Sequence, residues 1–368
     1  MREPGFWHRP PSLVSRLLLP IAAIYGNIAA ARMQKAGTTV GVPVLCVGNY
    51  HMGGAGKTPT TLALVALLRE FGETPVVLSR GYGGRLQGPV QVDPARHSAA
   101  DIGDEPLMMA RRVPVVVARD RTDGAALACA LGATVILMDD GFQNPALTKD
   151  ASLIVVDSHR SIGNGSVFPA GPLRAPLPLQ VARTDALVVV GDGAAADGLV
   201  QQITTKGGVV LRARLVPEPA SVEALRGRRV LAFAGIGDPA RFVATLRDSG
   251  VEVVEQRAFA DHHPFTAEEL AELAAAAKRD GLTLVTTEKR SGADRRRAAG
   301  ARRGDRAVCR DAGVRRRGQA AVVPARPAQR RARREARRAA LRRGLSSWAE
   351  TRRDSAASAR LRASRTVP

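Results

Sequence analysis

The sequence predicts an α/β fold in which a parallel sheet carries the core, with a second, smaller α/β lobe and an N-terminal interfacial helix. Three observations predict it. From residue 40 onward, short Val, Ile and Leu runs alternate with helical stretches, the pattern of a parallel sheet covered on both faces. A glycine-rich loop joins the first of these strands to the first of these helices. After residue 215 a shorter set of strands and helices begins.

The elements follow in order. Leu17–Ala31 is a mostly apolar run broken by Pro20, Gly26 and Asn27, with Arg16, Arg32 and Lys35 flanking it. As a helix it would be about 22 Å long, short of the ~30 Å hydrocarbon core. Residues 1–40 are therefore expected to lie on a membrane surface, cations among headgroups; a helix packed on the main domain and a signal peptide are the other readings. Residues 41–215 form the main lobe. Its strands are Pro43–Asn49, Pro75–Ser79, Pro114–Ala118, Thr134–Met138, Leu153–Val156, Asp185–Val190 and Val209–Leu215, and Thr58–Phe71 is its first helix. Phe168–Leu179 has four prolines and no period, so it reads as a loop. Residues 216–289 form the smaller lobe. There Arg229–Ala234, Val251–Phe259 and Leu282–Thr287 read as strands, Pro239–Ser249 and Thr266–Asp280 as helices.

The charge is confined to one end. The chain carries +21, of which residues 290–368 hold +19, with 25 Arg, no Lys and six acidic residues. The rest is almost neutral, which excludes whole-chain charge as an argument for nucleic-acid binding. Patterned apolar runs stop at Arg290, and Arg, Ala and Gly take over. A solvated basic tail mixes Lys with Arg; this composition reads instead as a shifted frame in a GC-rich gene. Cys46, Cys129 and Cys309 are far apart and suggest neither a zinc site nor a disulfide framework.

The glycine loop carries the chemistry. His51-Met52-Gly53-Gly54-Ala55-Gly56-Lys57-Thr58 leads from a strand into a helix and ends in Gly-Lys-Thr. Backbone N–H groups of such a loop close around phosphate oxygens, and the helix N-terminus adds a favourable dipole. Lys57 is placed to reach the β- and γ-phosphates of ATP, and Thr58 to ligate Mg²⁺. His51 stands where the usual pattern has its first glycine. The Gly53-Gly54 pair resembles the loop of partition and nitrogenase-type ATPases, but their signature lysine is Met52 here. Asp139 and Asp140 follow a strand, where a Mg²⁺ partner belongs; a solvated turn is the bland alternative. Asp104, in Gly103-Asp104-Glu105-Pro106, is either a helix cap or a base accepting a hydroxyl proton. Arg80, at a strand end, offers a cation for phosphate or sits in a surface turn. Asp261-His262-His263 precedes a helix, as a base-orienting histidine, a nucleotide contact or a polar helix entry.

Taken in order, these motifs resemble the tetraacyldisaccharide 4′-kinase family of lipid A synthesis. The resemblance rests on Val47-Gly48-Asn49, Gly53-Gly54-Ala55-Gly56-Lys57-Thr58-Pro59, Ser79-Arg80-Gly81-Tyr82-Gly83, Gly103-Asp104-Glu105-Pro106, Asp139-Asp140-Gly141-Phe142-Gln143, Asp261-His262-His263 and Thr287-Glu288-Lys289, over about residues 5–289. It implies transfer of the ATP γ-phosphate to the 4′-hydroxyl of a tetraacyldisaccharide 1-phosphate, giving lipid IVA, by a monotopic enzyme on the cytoplasmic face of the Gram-negative inner membrane. It further implies Asp104 as general base paired with His262, and Asp139 and Asp140 on Mg²⁺–ATP with Lys57 and Thr58. The expected partners are the lipid disaccharide and the membrane surface, with neither nucleic acid nor a protein partner. The sequence departs from the family at Asn144, where a histidine is common, and after Lys289. A partition-type ATPase that switches partners is the alternative function.

Overall fold

The computed structural model describes residues 3–287, apart from 218, 237, 238, 261, 262 and 264. The expected histidine His262 and the arginine-rich segment 290–368 therefore lie outside the described residues.

The larger lobe is an eight-stranded sheet. Its strands are β1 (Val44–Gly48), β2 (Pro75–Ser79), β3 (Val90–Gln91), β4 (Val115–Val117), β5 (Val135–Asp139), β6 (Ala151–Asp157), β7 (Ala186–Val190) and β8 (Val209–Ala213). They lie in the order β3-β4-β2-β5-β1-β6-β7-β8. All neighbours are parallel except β3, which runs antiparallel to β4. β3 is a two-residue edge strand without an apolar run, so the pattern that reveals its neighbours gives no sign of it. β1, β2, β5, β6 and β7 are buried along their whole length, as strands covered on both faces must be.

Helices α1 (Leu13–Leu17) and α2 (Leu19–Met33) lead into this lobe; α3 (Lys57–Glu70), α4 (Ala99–Ile102), α5 (Asp104–Met109), α6 (Arg121–Ala130), α7 (Leu177–Ala182) and α8 (Asp197–Thr205) lie between its strands. The chain leaves β1 through α3 toward β2 on one side, and β6 lies on the other side of β1. Strand order thus reverses around β1, and the crevice for a ligand opens at the carboxyl ends of the strands there.

The apolar segment at the N-terminus forms two helices, α1 and α2. Pro20 sits in the first turn of α2, where its missing N–H costs nothing. One side docks on the proline-rich loop. Ser15 Oγ donates to the Ala170 carbonyl at 2.7 Å, Trp7 Nε1 donates to the Pro169 carbonyl at 3.1 Å, and the Tyr25 ring meets Phe168 edge-on. The other side leaves Leu13, Leu17, Ile24 and Ile28 more than 60% exposed. Among the described residues no helix is long and apolar enough to cross a membrane.

The smaller lobe has a three-stranded parallel sheet. After α9 (Pro219–Glu223) come β9 (Arg229–Ala234), α10 (Pro239–Asp248), β10 (Glu252–Ala258), α11 (Ala267–Arg279) and β11 (Thr283–Val285), with β9 between β10 and β11. Alternate β9 residues face opposite ways. Val230 and Ala232 pack with Val243 and Leu246 of α10, while Leu231 and Phe233 pack with Phe265 and with Leu273 of α11. Thr266 and Glu269 start α11 with a reciprocal cap, each satisfying an N–H of the first turn.

Candidate functional site: a phosphate loop with paired aspartates

The loop after β1 is held open by specific bonds. Asn49 Nδ2 donates to the Gly53 carbonyl at 3.1 Å, and Met52 N donates to the Pro172 carbonyl at 2.9 Å. Arg174 N returns a bond to the Tyr50 carbonyl at 2.9 Å. The proline-rich loop is therefore an antiparallel strut along the phosphate loop, with His51 paired to Leu173. Gly53 and Gly56 have φ of 99° and 86°, the left-handed region that a side chain resists. Gly56 caps α3, whose first residues are Lys57 and the buried Thr58. The carboxylate of Glu3, held by His8 and Arg160, rests against Gly53.

His51 explains its own presence in place of glycine. It is buried, and Nδ1 donates to the Met52 carbonyl at 2.7 Å. That bond leaves Nε2 as a lone-pair acceptor in the neutral ring. Burial pushes the His51 pKa down to about 4, with the Lys57 and Arg174 charges acting the same way.

The two aspartates have different states. Asp139 ends β5 and is buried; its Oδ1 is enclosed with no hydrogen-bond partner. Burial pushes its pKa well above the carboxylate range, and the charges of Glu105 and Asp140 add to this. Asp140 has φ of 47°, a conformation that persists only where surroundings impose it. Its Oδ1 lies 2.7 Å from Arg174 Nη1 and 3.8 Å from Lys57 Nζ. Burial alone would raise the Asp140 pKa, but Lys57 and Arg174 outweigh it and hold the group below the ordinary range.

The Arg80 turn and Asp104 come together. A Cβ at Gly103 (φ 89°) would collide with the Tyr82 carbonyl, so only glycine lets the two segments meet. Leu86 N donates to the Asp101 carbonyl at 2.8 Å, fixing the same contact. Gly103 occupies the cap position of α5, and Asp104 is the first residue of that helix. The helix α5 packs against α3 of the phosphate loop. Arg80 is exposed just past β2, close enough for its charge to act on Arg121.

Two residues escape sequence reasoning. Arg174 lies in a loop without periodicity, and its role shows only once the strut brings it to Asp140. Arg121 is 2% exposed, with Nη1 donating to the Ala118 carbonyl at 3.2 Å and Nε unpartnered. Burial lowers its pKa, while the Asp139 charge opposes that shift. The one sequence signal was its place just past β4, on the same sheet edge as Arg80 and Asp139. Asn144 is accounted for locally. Its Oδ1 accepts from Ala146 N at 2.8 Å, and its carbonyl accepts from Lys149. His263 is also local: its ring stacks on Phe259 and Nε2 bonds Glu269 at 2.9 Å.

These residues suit a nucleoside triphosphate and a divalent cation. The cradle turns through left-handed backbone at Gly53 and Gly56, and Thr58 and the unpartnered Asp139 Oδ1 supply hard oxygens. Among the described residues, no three His, Cys, Asp or Glu side chains form a metal cage. Mg²⁺ needs none, since it takes one or two carboxylates plus phosphate oxygens. Fold and site together define a P-loop phosphotransferase.

Comparison with known proteins narrows the class. The profile of the tetraacyldisaccharide-1-P 4′-kinase family matches residues 14–303. A tetraacyldisaccharide 4′-kinase of Rhodopseudomonas palustris (strain CGA009) is 99% identical over 289 residues, 78% of this chain and 85% of the relative. One from Nitrobacter winogradskyi is 68% identical over 289 residues, 78% of this chain and 86% of that relative. The crystal structure of LpxK from Aquifex aeolicus in complex with ATP aligns with TM-score 0.58 and 29% identity, covering 75% of this chain and 89% of that one. The chain belongs to the tetraacyldisaccharide-1-P 4′-kinase family, and the partition-type alternative falls with that assignment.

Proposed function

We propose that the phosphate-loop crevice transfers the γ-phosphoryl group of ATP to the 4′-hydroxyl of a tetraacyldisaccharide 1-phosphate, giving lipid IVA. The observation that carries the site assignment is the division of labour between the aspartates. Asp140 is locked by Lys57 and Arg174, whereas Asp139 presents an unpartnered oxygen. Residues His51–Thr58 and Arg80 surround the polyphosphate, and Thr58 and Asp139 hold Mg²⁺, with Asp140 beside them. Held there, Mg²⁺ would supply positive charge opposite the transferring group. Lys57 exchanges its 3.8 Å contact with Asp140 for phosphate oxygens. Asp104, on α5 beside α3, accepts the proton of the attacking hydroxyl, and His262 orients it.

The enzyme works on the cytoplasmic face of the inner membrane, in one leaflet, where a lipid acceptor resides; the exposed apolar side of α1 and α2 supports this reading. Arg9, Arg16, Arg32 and Lys35 border it, as anionic headgroups favour. The test combines purified chain, Mg²⁺–ATP and the disaccharide 1-phosphate. We expect a 4′-phosphorylated product; a folded sample that makes none overturns the reading.

A further inference from the structure

The smaller lobe meets the larger one at a charged pair that lies close to the phosphate loop. Arg241 stands in the first turn of α10 and pairs through Nη1 with Oδ2 of Asp157, the last residue of β6. The Asp157 side chain is only 6% exposed. Its other oxygen, Oδ1, accepts from the N–H groups of His159 at 2.8 Å and Arg160 at 3.0 Å. The carboxylate is thus fixed by its own loop, and Arg241 comes to it.

The surroundings lead to the nucleotide site. β6 and β1 are parallel neighbours, so Asp157 lies on the sheet edge from which the phosphate loop departs. Gly191 follows β7, and a Cβ there would sit 3.6 Å from Arg241 Nη2 and against Ser158 Oγ. The preceding residue, Val190, would touch a Cβ on Gly56 at 3.7 Å. Ser158 N binds the Val190 carbonyl at 3.0 Å and Ser158 Oγ accepts from Gly193 N at 2.9 Å, tying the ends of β6 and β7 together. Val190, the last residue of β7, and Gly191 after it therefore separate the Arg241 guanidinium from Gly56, the cap of α3. A surface pair would be worth little. This carboxylate is buried, and removing its cation leaves a charge met only by two backbone N–H groups.

We infer that Arg241 is a positioning residue for phosphoryl transfer: latched to Asp157, it seats the smaller lobe against the end of β7 beside the phosphate loop. The latch rests on geometry alone; its effect on turnover rests on the kinase reading above. Arg241 is not part of the core of its own lobe, where Val243 and Leu246 do the packing, so its loss leaves that lobe folded.

The test uses the full chain and three variants: Arg241→Gln, Arg241→Lys and Asp157→Asn, the last keeping an acceptor for the two N–H groups. We expect Arg241→Gln and Asp157→Asn to lower kcat about tenfold while the Kd for ATP shifts less than about threefold. Amide hydrogen exchange in residues 239–248 and 190–193 should quicken in both, with α3 unchanged. Arg241→Lys should recover most of the protection. Unchanged exchange in both neutral variants overturns the latch. Faster exchange with wild-type kcat overturns its role in transfer. If the unaltered chain makes no kinase product yet the exchange effect appears, the latch stands and the kinase reading alone fails.

Discussion

The two lobes use the same αβ grammar to different ends. In the larger lobe six strands are buried throughout, and the carboxyl ends of four of them deliver polar and charged groups into a crevice: Lys57 and Thr58 after β1, Arg80 after β2, Arg121 after β4, Asp139 and Asp140 from β5. In the smaller lobe β10 alternates between partly and fully exposed residues, and β11 is only partly covered. Its charged groups are mostly at the surface, and Arg241 reaches outward to the other lobe. A sheet covered on both faces can hold unpaired polar atoms at a fixed place, because packing prevents their relaxation. The three strands of the smaller sheet among the described residues can carry a contact but not a cage. On the proposed reading, phosphate and metal chemistry fall to the first lobe and positioning to the second.

The sharpest way to break that division is at the acceptor side. Asp104→Asn keeps size and hydrogen bonding but removes the base, so kcat should fall by about 10²–10⁴, with ATP affinity measured by titration almost unchanged. Lys57→Ala should instead lose ATP affinity and turnover together, because Lys57 would touch the transferring phosphate. If both variants weaken ATP binding alike, acceptor and nucleotide functions are not separated as argued.

A slightly smaller effect tests the lobes as structural units. Phe265 packs edge-on against Phe233 at 5.2 Å and Phe259 at 4.8 Å, in the core of the smaller lobe. Phe265→Ala should cost about 3–5 kcal/mol there, and limited proteolysis should then cut within residues 229–285. ATP binding by the larger lobe should persist. Simultaneous loss of both would mean that the two sheets unfold as one cooperative unit.

The same contrast explains what the sequence makes legible. The strands of the larger lobe are continuous β-branched runs, so the parallel sheet and the placing of Asp139 at its edge follow from pattern alone. The loop ending in Lys57 and Thr58 is legible because its glycines have a single physical use in that setting. Asp104 is legible as a motif, but its nearness to the phosphate loop depends on Gly103 passing under Tyr82, a tertiary contact with no periodic signal. Arg174 and Arg121 are invisible for the same reason. One sits in an aperiodic proline-rich segment, and the other looks like any charged residue opening a helix. The edge strand β3 is too short for alternation to register. Periodicity reports which face of an element is buried; it does not report which loop ends meet.

The smallest of these effects concerns His51, where burial and the Lys57 and Arg174 charges disfavour the protonated ring more than the Glu3 carboxylate favours it. Its pKa is about 4 in the folded chain and about 6.5 when unfolded. Between those values the unfolded chain binds the extra proton, so stability rises with pH across the window and is lost as pH falls from 6.5 through 4. The full span corresponds to about 3 kcal/mol. Urea unfolding of the wild type and of His51→Gln at pH 7, 6, 5 and 4.5 isolates this contribution, since other groups titrate alike in both. The wild type should lose about 2–3 kcal/mol more than the variant on acidification. Parallel curves would mean that the ring is solvated or already charged. The phosphate loop would then rest on a hydrated turn rather than on a dry, neutral acceptor, and the contrast with the more open smaller lobe would lose its clearest electrostatic mark.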